Sequence, residues 1–210
     1  MSEKLSNPAP LGLLGFGMTT VLLNVVHNAR LGPLDAMILA MGIFYGGVAQ
    51  IIAGILEYRK GNTFGTTAFT SYGLFWLSFV GLVWLGSAST AQSGVWPFLG
   101  DSTPWVVSQE AFAVYFFMWG LFTFLMFFGT LKANKALMFI FMSLAVLFWL
   151  LAIKSALIAF AGLTAAQLAP FTVVIGIEGT ACGFSAVYLA IAEVLNEMYG
   201  RTVWPIGPVK

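Results

Sequence analysis

The chain has 210 residues, of which 60% are hydrophobic and only 8% charged, where an ordinary soluble domain carries roughly 25% charged residues. Its mean hydropathy of +0.92 places it in lipid. Nine Lys plus Arg against eight Asp plus Glu leave a formal charge of +1, so no basic surface argues for a nucleic-acid partner.

Residues 1–10 are polar and read as a cytoplasmic amino-terminal segment. No Ala-x-Ala cleavage site follows the first apolar run, so no secretory leader is expected. A spanning helix needs about 20 mostly apolar residues, because the hydrocarbon is about 30 Å thick and each residue rises about 1.5 Å. Six stretches satisfy this: 11–28, 34–58, 64–85, 111–129, 137–153 and 171–195. The period-two alternation of a membrane β-strand is absent, and the run 74–85 is apolar on every side. The expected fold is all-α, a polytopic membrane protein whose transport domain spans 11–199, with a cytoplasmic tail at 200–210.

With six spans both termini lie on one side. That side collects Lys4, Arg59, Lys60, Lys132, Lys135, Arg201 and Lys210, and the other only Arg30 and Lys154. The positive-inside rule then places both termini in the cytoplasm and the chain in the inner membrane. The longest loop, 87–110, holds Asp101 and Glu110 and no basic residue, as an outer loop does, and its Trp96 and Trp105 suit the headgroup layer.

Lys60, Phe69, Ser71 and Tyr72 recur 72 positions on as Lys132, Phe141, Ser143 and Leu144, and each copy continues into Phe-Trp-Leu after one inserted residue. Apolar helices also match by chance. A true repeat implies helix pairs copied around an axis, a common plan among transporters. Gly42 with Gly46 and Gly179 with Gly183 stand four apart, a spacing that lets helix backbones approach closely. The first span, with Gly12, Gly15 and Gly17 after Pro8 and Pro10, reads as a loose helix or a pore-lining one.

Polar side chains within hydrocarbon are costly, so each is a functional candidate: Thr19, Thr20, Asn24, His27, Gln50, Thr70, Ser71, Glu178 and Ser185. Ser and Thr often bond back to their own helix. Asn24 and Gln50 do so less readily, and an amide in a conduit offers donors and acceptors to a carboxylate. His27, the only histidine, titrates near neutral pH and is a candidate proton relay, or an interfacial residue bonded to a carbonyl. Glu178 is the second proton-handling candidate and needs a partner, for which Lys154 is placed. Glu57, Glu193 and Glu197 lie near cytoplasmic span ends and read as anchors, with Glu197 and Arg201 at helical spacing. Cys182 reads as a small core residue, since a lone thiol makes no internal disulfide. One His, one Cys and two distant Asp build neither a catalytic triad nor a metal cluster, so no enzyme, cofactor or metal is expected.

The run Asn7-Pro8-Ala9-Pro10-Leu11-Gly12-Leu13 resembles the signature of the acetate uptake transporter family. Gly42-Ile43-Phe44-Tyr45-Gly46-Gly47-Val48-Ala49-Gln50, Leu56-Glu57-Tyr58, Gly61-Asn62-Thr63-Phe64-Gly65, Ala68-Phe69-Thr70-Ser71-Tyr72-Gly73, Phe127-Phe128-Gly129-Thr130-Leu131-Lys132 and Glu193-Val194-Leu195-Asn196-Glu197 are similar to it as well. The resemblance implies six helices around a conduit in each protomer, a homohexamer, and passage of acetate, with succinate a second substrate. It further implies a hydrophobic constriction at Phe16, Tyr72 and Leu144, and a selectivity role for Leu144 and Ala186. Those three constriction residues also fall about two turns into the first, third and fifth spans. Glu178 departs from the family pattern, where an apolar residue is expected. The reading from these residues is proton-linked transport of small monocarboxylates. The alternatives are a channel or exporter for another small solute such as ammonia, and a membrane sensor or assembly subunit that moves nothing.

Overall fold

The computed structural model describes residues 5–29, 31, 32, 34–90 and 107–209, the side chains of 85–90 excepted. Lys4, Arg30 and Lys210 of the charge count, and Trp96, Asp101 and Trp105 of the long loop, lie outside the described residues. Six helices are each long and apolar enough to cross a membrane: α1 (Ala9–Asn28), α2 (Ala36–Arg59), α3 (Thr63–Thr90), α4 (Gln109–Thr130), α5 (Lys135–Ala161) and α6 (Ala169–Tyr199). Among the described residues the only β contact is a single bridge between Asn134 and Pro208.

The helix ends depart from the apolar stretches because local capping chemistry, not hydropathy, sets them. α1 begins two residues earlier than expected, with Pro10 in its first turn, where a missing N–H costs nothing. Asp35 caps α2 by accepting from Met37 N at 3.0 Å and Ile38 N at 3.2 Å. Ser108 Oγ accepts from Ala111 N at 3.2 Å at the head of α4, and Asn134 Oδ1 from Leu137 N at 2.8 Å at the head of α5. α5 runs to Ala161 instead of stopping at 153 and ends on Gly162 at φ 65°. α6 ends on Gly200 at φ 62°, the left-handed stop that glycine favours. Arg201 therefore lies beyond the helix, and its expected helical pairing with Glu197 is lost.

Around the bundle the helices neighbour one another in the order α3, α2, α1, α6, α5, α4. The α1–α6 seam is built on glycine. A Cβ at Gly17 would overlap the carbonyl oxygen of Gly183, and one at Gly183 the carbonyl oxygen of Gly17. Gly176 and Gly179 likewise leave room for the backbone of Asn28 and Ala29 and for the Asn24 side chain. Gly42 and Gly46 make the same allowance for Val80 and Trp76 of α3, so both glycine pairs serve close packing. The α3–α4 seam differs. Backbone contact between these helices is sparse, and large rings fill the gap: Tyr72 with Trp119 and Phe122, Phe75 with Tyr115, and Phe79 with Phe116.

Two stretches widen from α to π geometry, Asn24–Asn28 in α1 and Gly42–Ala49 in α2. The first span is thus an ordinary helix for most of its length and loosens only at its far end, and such wide turns recur at functional sites.

Candidate functional site

Two cavities enter the bundle from opposite ends. The proximal one, at the end that carries both termini, has a volume of about 340 Å3. Its mouth is lined by Asn7, Glu57, Lys60, Asn62, Lys132 and Glu193, and its depth by Phe69, Phe141 and Leu137 among others. The distal one measures about 410 Å3 and is mainly aromatic, with Phe75, Trp76, Phe112, Phe116 and Phe148 in its wall. Its polar lining includes Thr20, Asn24, His27, Asn28 and Lys154.

Phe16, Tyr72 and Leu144 line both cavities. They come from α1, α3 and α5, and all three are buried. The Phe16 and Tyr72 rings lie 6.2 Å apart, centroid to centroid, and Phe141 packs edge-on to Tyr72 at 6.0 Å. The Tyr72 hydroxyl donates to Thr123 Oγ1 at 2.9 Å, and Thr123 Oγ1 in turn donates to Trp119 O at 2.7 Å. The one polar group of the three is therefore committed to α4, and the ring offers no free donor to an anion. On either side of it stands a buried oxygen without a hydrogen-bond partner, Gln50 Oε1 in the proximal cavity wall and Thr20 Oγ1 in the distal one.

Two opposed cavities thus meet at three shared residues, and comparison with known proteins gives the fold a lineage. Residues 1–208 match the GPR1/FUN34/yaaH family. The chain belongs to that family. The succinate-acetate/proton symporter SatP of Escherichia coli (strain K12) is 53% identical over 211 residues, which cover 98% of this chain and 97% of that one. A solved structure of the bacterial acetate channel SatP superposes with a TM-score of 0.81 at 54% identity, over 97% of this chain and 100% of the other. Ammonia transport outward protein 2 of Saccharomyces cerevisiae (strain ATCC 204508 / S288c) is 38% identical over 156 residues, 73% of this chain and 52% of its own length. The resemblance drawn from the Asn7–Leu13 run and the all-α fold it implied are borne out, and these relatives bear the names of transporters and a channel.

Within the family fold, the residues singled out from sequence separate into groups. Asn7, Pro8, Pro10 and Gly12 open α1: the Pro8 carbonyl accepts from Leu11 N at 3.1 Å, Asn7 Oδ1 accepts from Ala9 N at 3.3 Å, and Gly12 leaves space for the Phe69 ring. Thr20, Asn24, His27 and Gln50 line cavities, whereas Thr19, Thr70 and Ser71 line neither. Thr19 instead reaches Met41 O of α2 at 3.5 Å, and Thr70 lies against Gly54 of α2. Ser185 bonds back to Cys182 O at 2.6 Å, the common habit of a helical serine. Ala186 is fully buried and lines neither.

Three readings are corrected. Asn24 does bond within its own helix: its Nδ2 donates to Thr20 O at 2.8 Å, and its Oδ1 accepts from Asn28 Nδ2 at 2.9 Å. Glu178 is held by Ser143, which donates to its Oε1 at 2.7 Å, and not by Lys154, which faces the distal cavity that Glu178 does not line. Glu57 and Glu193 are not surface anchors: Glu57 is 0% exposed, and both line the proximal cavity. Burial of a helix end by its neighbours leaves no mark on that helix's own residues. The available signals were the Glu57 and Lys60 spacing of three and the Asn24 and Asn28 spacing of four, each a same-face pair.

Proposed function

We propose that this protein carries acetate and related small monocarboxylates, with succinate a further substrate, across the membrane together with a proton, and that Phe16, Tyr72 and Leu144 form the constriction they cross. The observation that carries the reading is that these three residues are the apolar floor shared by two cavities opening at opposite ends. The names of the family relatives agree with the substrate and with proton linkage. Residues 11–199 form the transport domain, flanked by a short segment at 1–10 and a tail at 200–210. The chain assembles as a homohexamer, an expectation taken from the family. Arg59, Lys60, Lys132, Lys135 and Arg201 gather at the end that bears the termini and Lys154 at the other, which supports an inner-membrane protein with cytoplasmic termini.

The form that crosses follows from energies. Protonating a small carboxylic acid of pKa about 4.3 at pH 7 costs roughly 3 to 4 kcal/mol. Stripping water from its anion costs on the order of 20 kcal/mol in the ideal limit and still several after relaxation. With the Tyr72 hydroxyl already given to Thr123, the ring returns little of that, so the acid crosses neutral. Gln50 Oε1, an unpartnered acceptor in the proximal cavity wall, suits the O–H of a neutral acid better than an anion, and the unpartnered Thr20 hydroxyl in the distal wall can donate to the acid's carbonyl or accept its O–H. His27, which lines the distal cavity with Lys154, is the candidate proton relay on entry, and Leu144 with the buried Ala186 sets the size of acid admitted.

The neutral fraction of such an acid rises about tenfold per pH unit of acidification. Labelled acetate flux into proteoliposomes at fixed total acetate is therefore expected to climb as the outside pH falls from 7 toward 5. A flat profile rules out passage as the neutral acid. Propionate is expected to compete with acetate for the one path. Ammonium flux indifferent to both acids would instead favour the reading suggested by the yeast relative's name.

A further inference from the structure

The proximal cavity holds more charge than the passage of a neutral acid requires. Glu57 is fully buried, its Oε2 accepts from Asn62 Nδ2 at 2.6 Å, and Lys60 Nζ stands 3.8 Å from its Oε1. A Cβ on Gly65 would overlap the Glu57 carboxyl, so this carboxylate rests on the first turn of α3, where negative charge is favoured. Lysine, amide and helix end together surround the Glu57 carboxyl and fix its place.

Lys60 then extends the arrangement across the cavity. Its Nζ donates to Asn7 Oδ1 at 2.7 Å, which turns the other end of that amide toward α6, and Asn7 Nδ2 donates to Glu193 Oε2 at 2.9 Å. Two carboxylates thus share one lysine, and the lysine stands with Glu57. Glu193 is left with a neutral amide as its hydrogen-bond partner. The charges that act on it are Lys60 and Glu57 from α2 and Glu197 from the next turn of α6. Lys132 also lines the cavity, from the turn between α4 and α5. α1, α3 and α5 present the neutral Asn7, Asn62 and Asn134.

We propose that Glu193 takes the proton from the acid once it has passed the ring. The proposal rests on the transport reading above and adds the group that uncouples proton from anion. The substrate's O–H bond breaks as a Glu193 carboxylate oxygen forms one. The substrate leaves as a carboxylate past Lys132, and Glu193 returns the proton to water at the cavity mouth. Donor and acceptor are the same chemical kind, so the transfer needs little driving force, whereas water alone is a far weaker base. Glu57 and Lys60 are positioning residues that act through Asn7.

Glu193→Gln keeps an oxygen to accept from Asn7 but has no site for a proton. In proteoliposomes, net acetate uptake read with a trapped pH dye is expected to fall about a hundredfold, the low end of what a placed acid–base group contributes. Counterflow of labelled against unlabelled acetate at equal pH, which needs no net proton release, is expected to persist. Glu193→Asp, a carboxylate on a shorter stem, is expected to restore net uptake in part. The proposal is overturned if net uptake in Glu193→Gln equals that of the unaltered protein, or if counterflow is lost with it and Glu193→Asp restores neither. Absence of acetate flux in the unaltered protein would sink the transport reading itself, a separate outcome.

Discussion

The two seams that flank the ring are built in opposite ways. Between α1 and α6 the backbones touch through Gly17 and Gly183, each filling the space where the other would carry a side chain. Between α3 and α4 the backbones stand apart, and Tyr72, Phe75, Tyr115 and Trp119 fill the interval. Lipid tails are as apolar as leucine, so helix association in a membrane rests on packing and hydrogen bonds. A glycine seam gives packing that has no slack, because backbone does not change rotamer. An aromatic seam adjusts by turning rings. Phe16 belongs to the rigid seam and Tyr72 to the adjustable one, so the shared ring has one side set by backbone and one set by side chains.

The strongest way to break that contrast is Gly183→Leu. Its Cβ alone would overlap the Gly17 carbonyl oxygen and Val21. Overpacking of this kind costs about 1 to 3 kcal/mol or more, and the variant is expected to unfold several degrees lower in detergent or to fail to accumulate. Next is Leu144→Ala, which opens the ring from the α5 side. Acids longer than acetate are expected to gain entry with acetate flux retained, read as counterflow against a panel of unlabelled acids. An unchanged panel would remove Leu144 from the path. The smallest effect is expected for Tyr72→Phe, which deletes the bond to Thr123 across the aromatic seam. Such interhelical bonds are worth about 0.6 kcal/mol on average, so a thermal midpoint lowered by no more than a few degrees, with acetate flux kept, would show that ring packing and not the hydroxyl holds α3 to α4.

Much of this architecture could be read from residue order. Six apolar runs fix six spans because lipid leaves an unsatisfied backbone no other choice, and Gly179 with Gly183 announced a close seam. The ring residues were reached through the family resemblance and their matched depth, since nothing local distinguishes Leu144 from any other core leucine. What escaped lies where one helix meets another. Glu57 looks cheap at a span end until Asn62 and the start of α3 enclose it. Glu178 looks paired to the nearest lysine until Ser143 of α5 proves closer. The length of α5 was underestimated because Lys154 reads as a terminus, whereas its side chain faces a cavity and the helix continues to Gly162.

The seam in which backbone meets backbone at Gly17 and Gly183 joins the first of the six helices to the last. A ribosome releases α1 into the bilayer long before α6 exists, so through most of synthesis the glycine face of α1 must be tolerated by lipid alone. Because α6 is the element between α1 and α5, its insertion joins the α1–α3 half of the bundle to the α4–α5 pair.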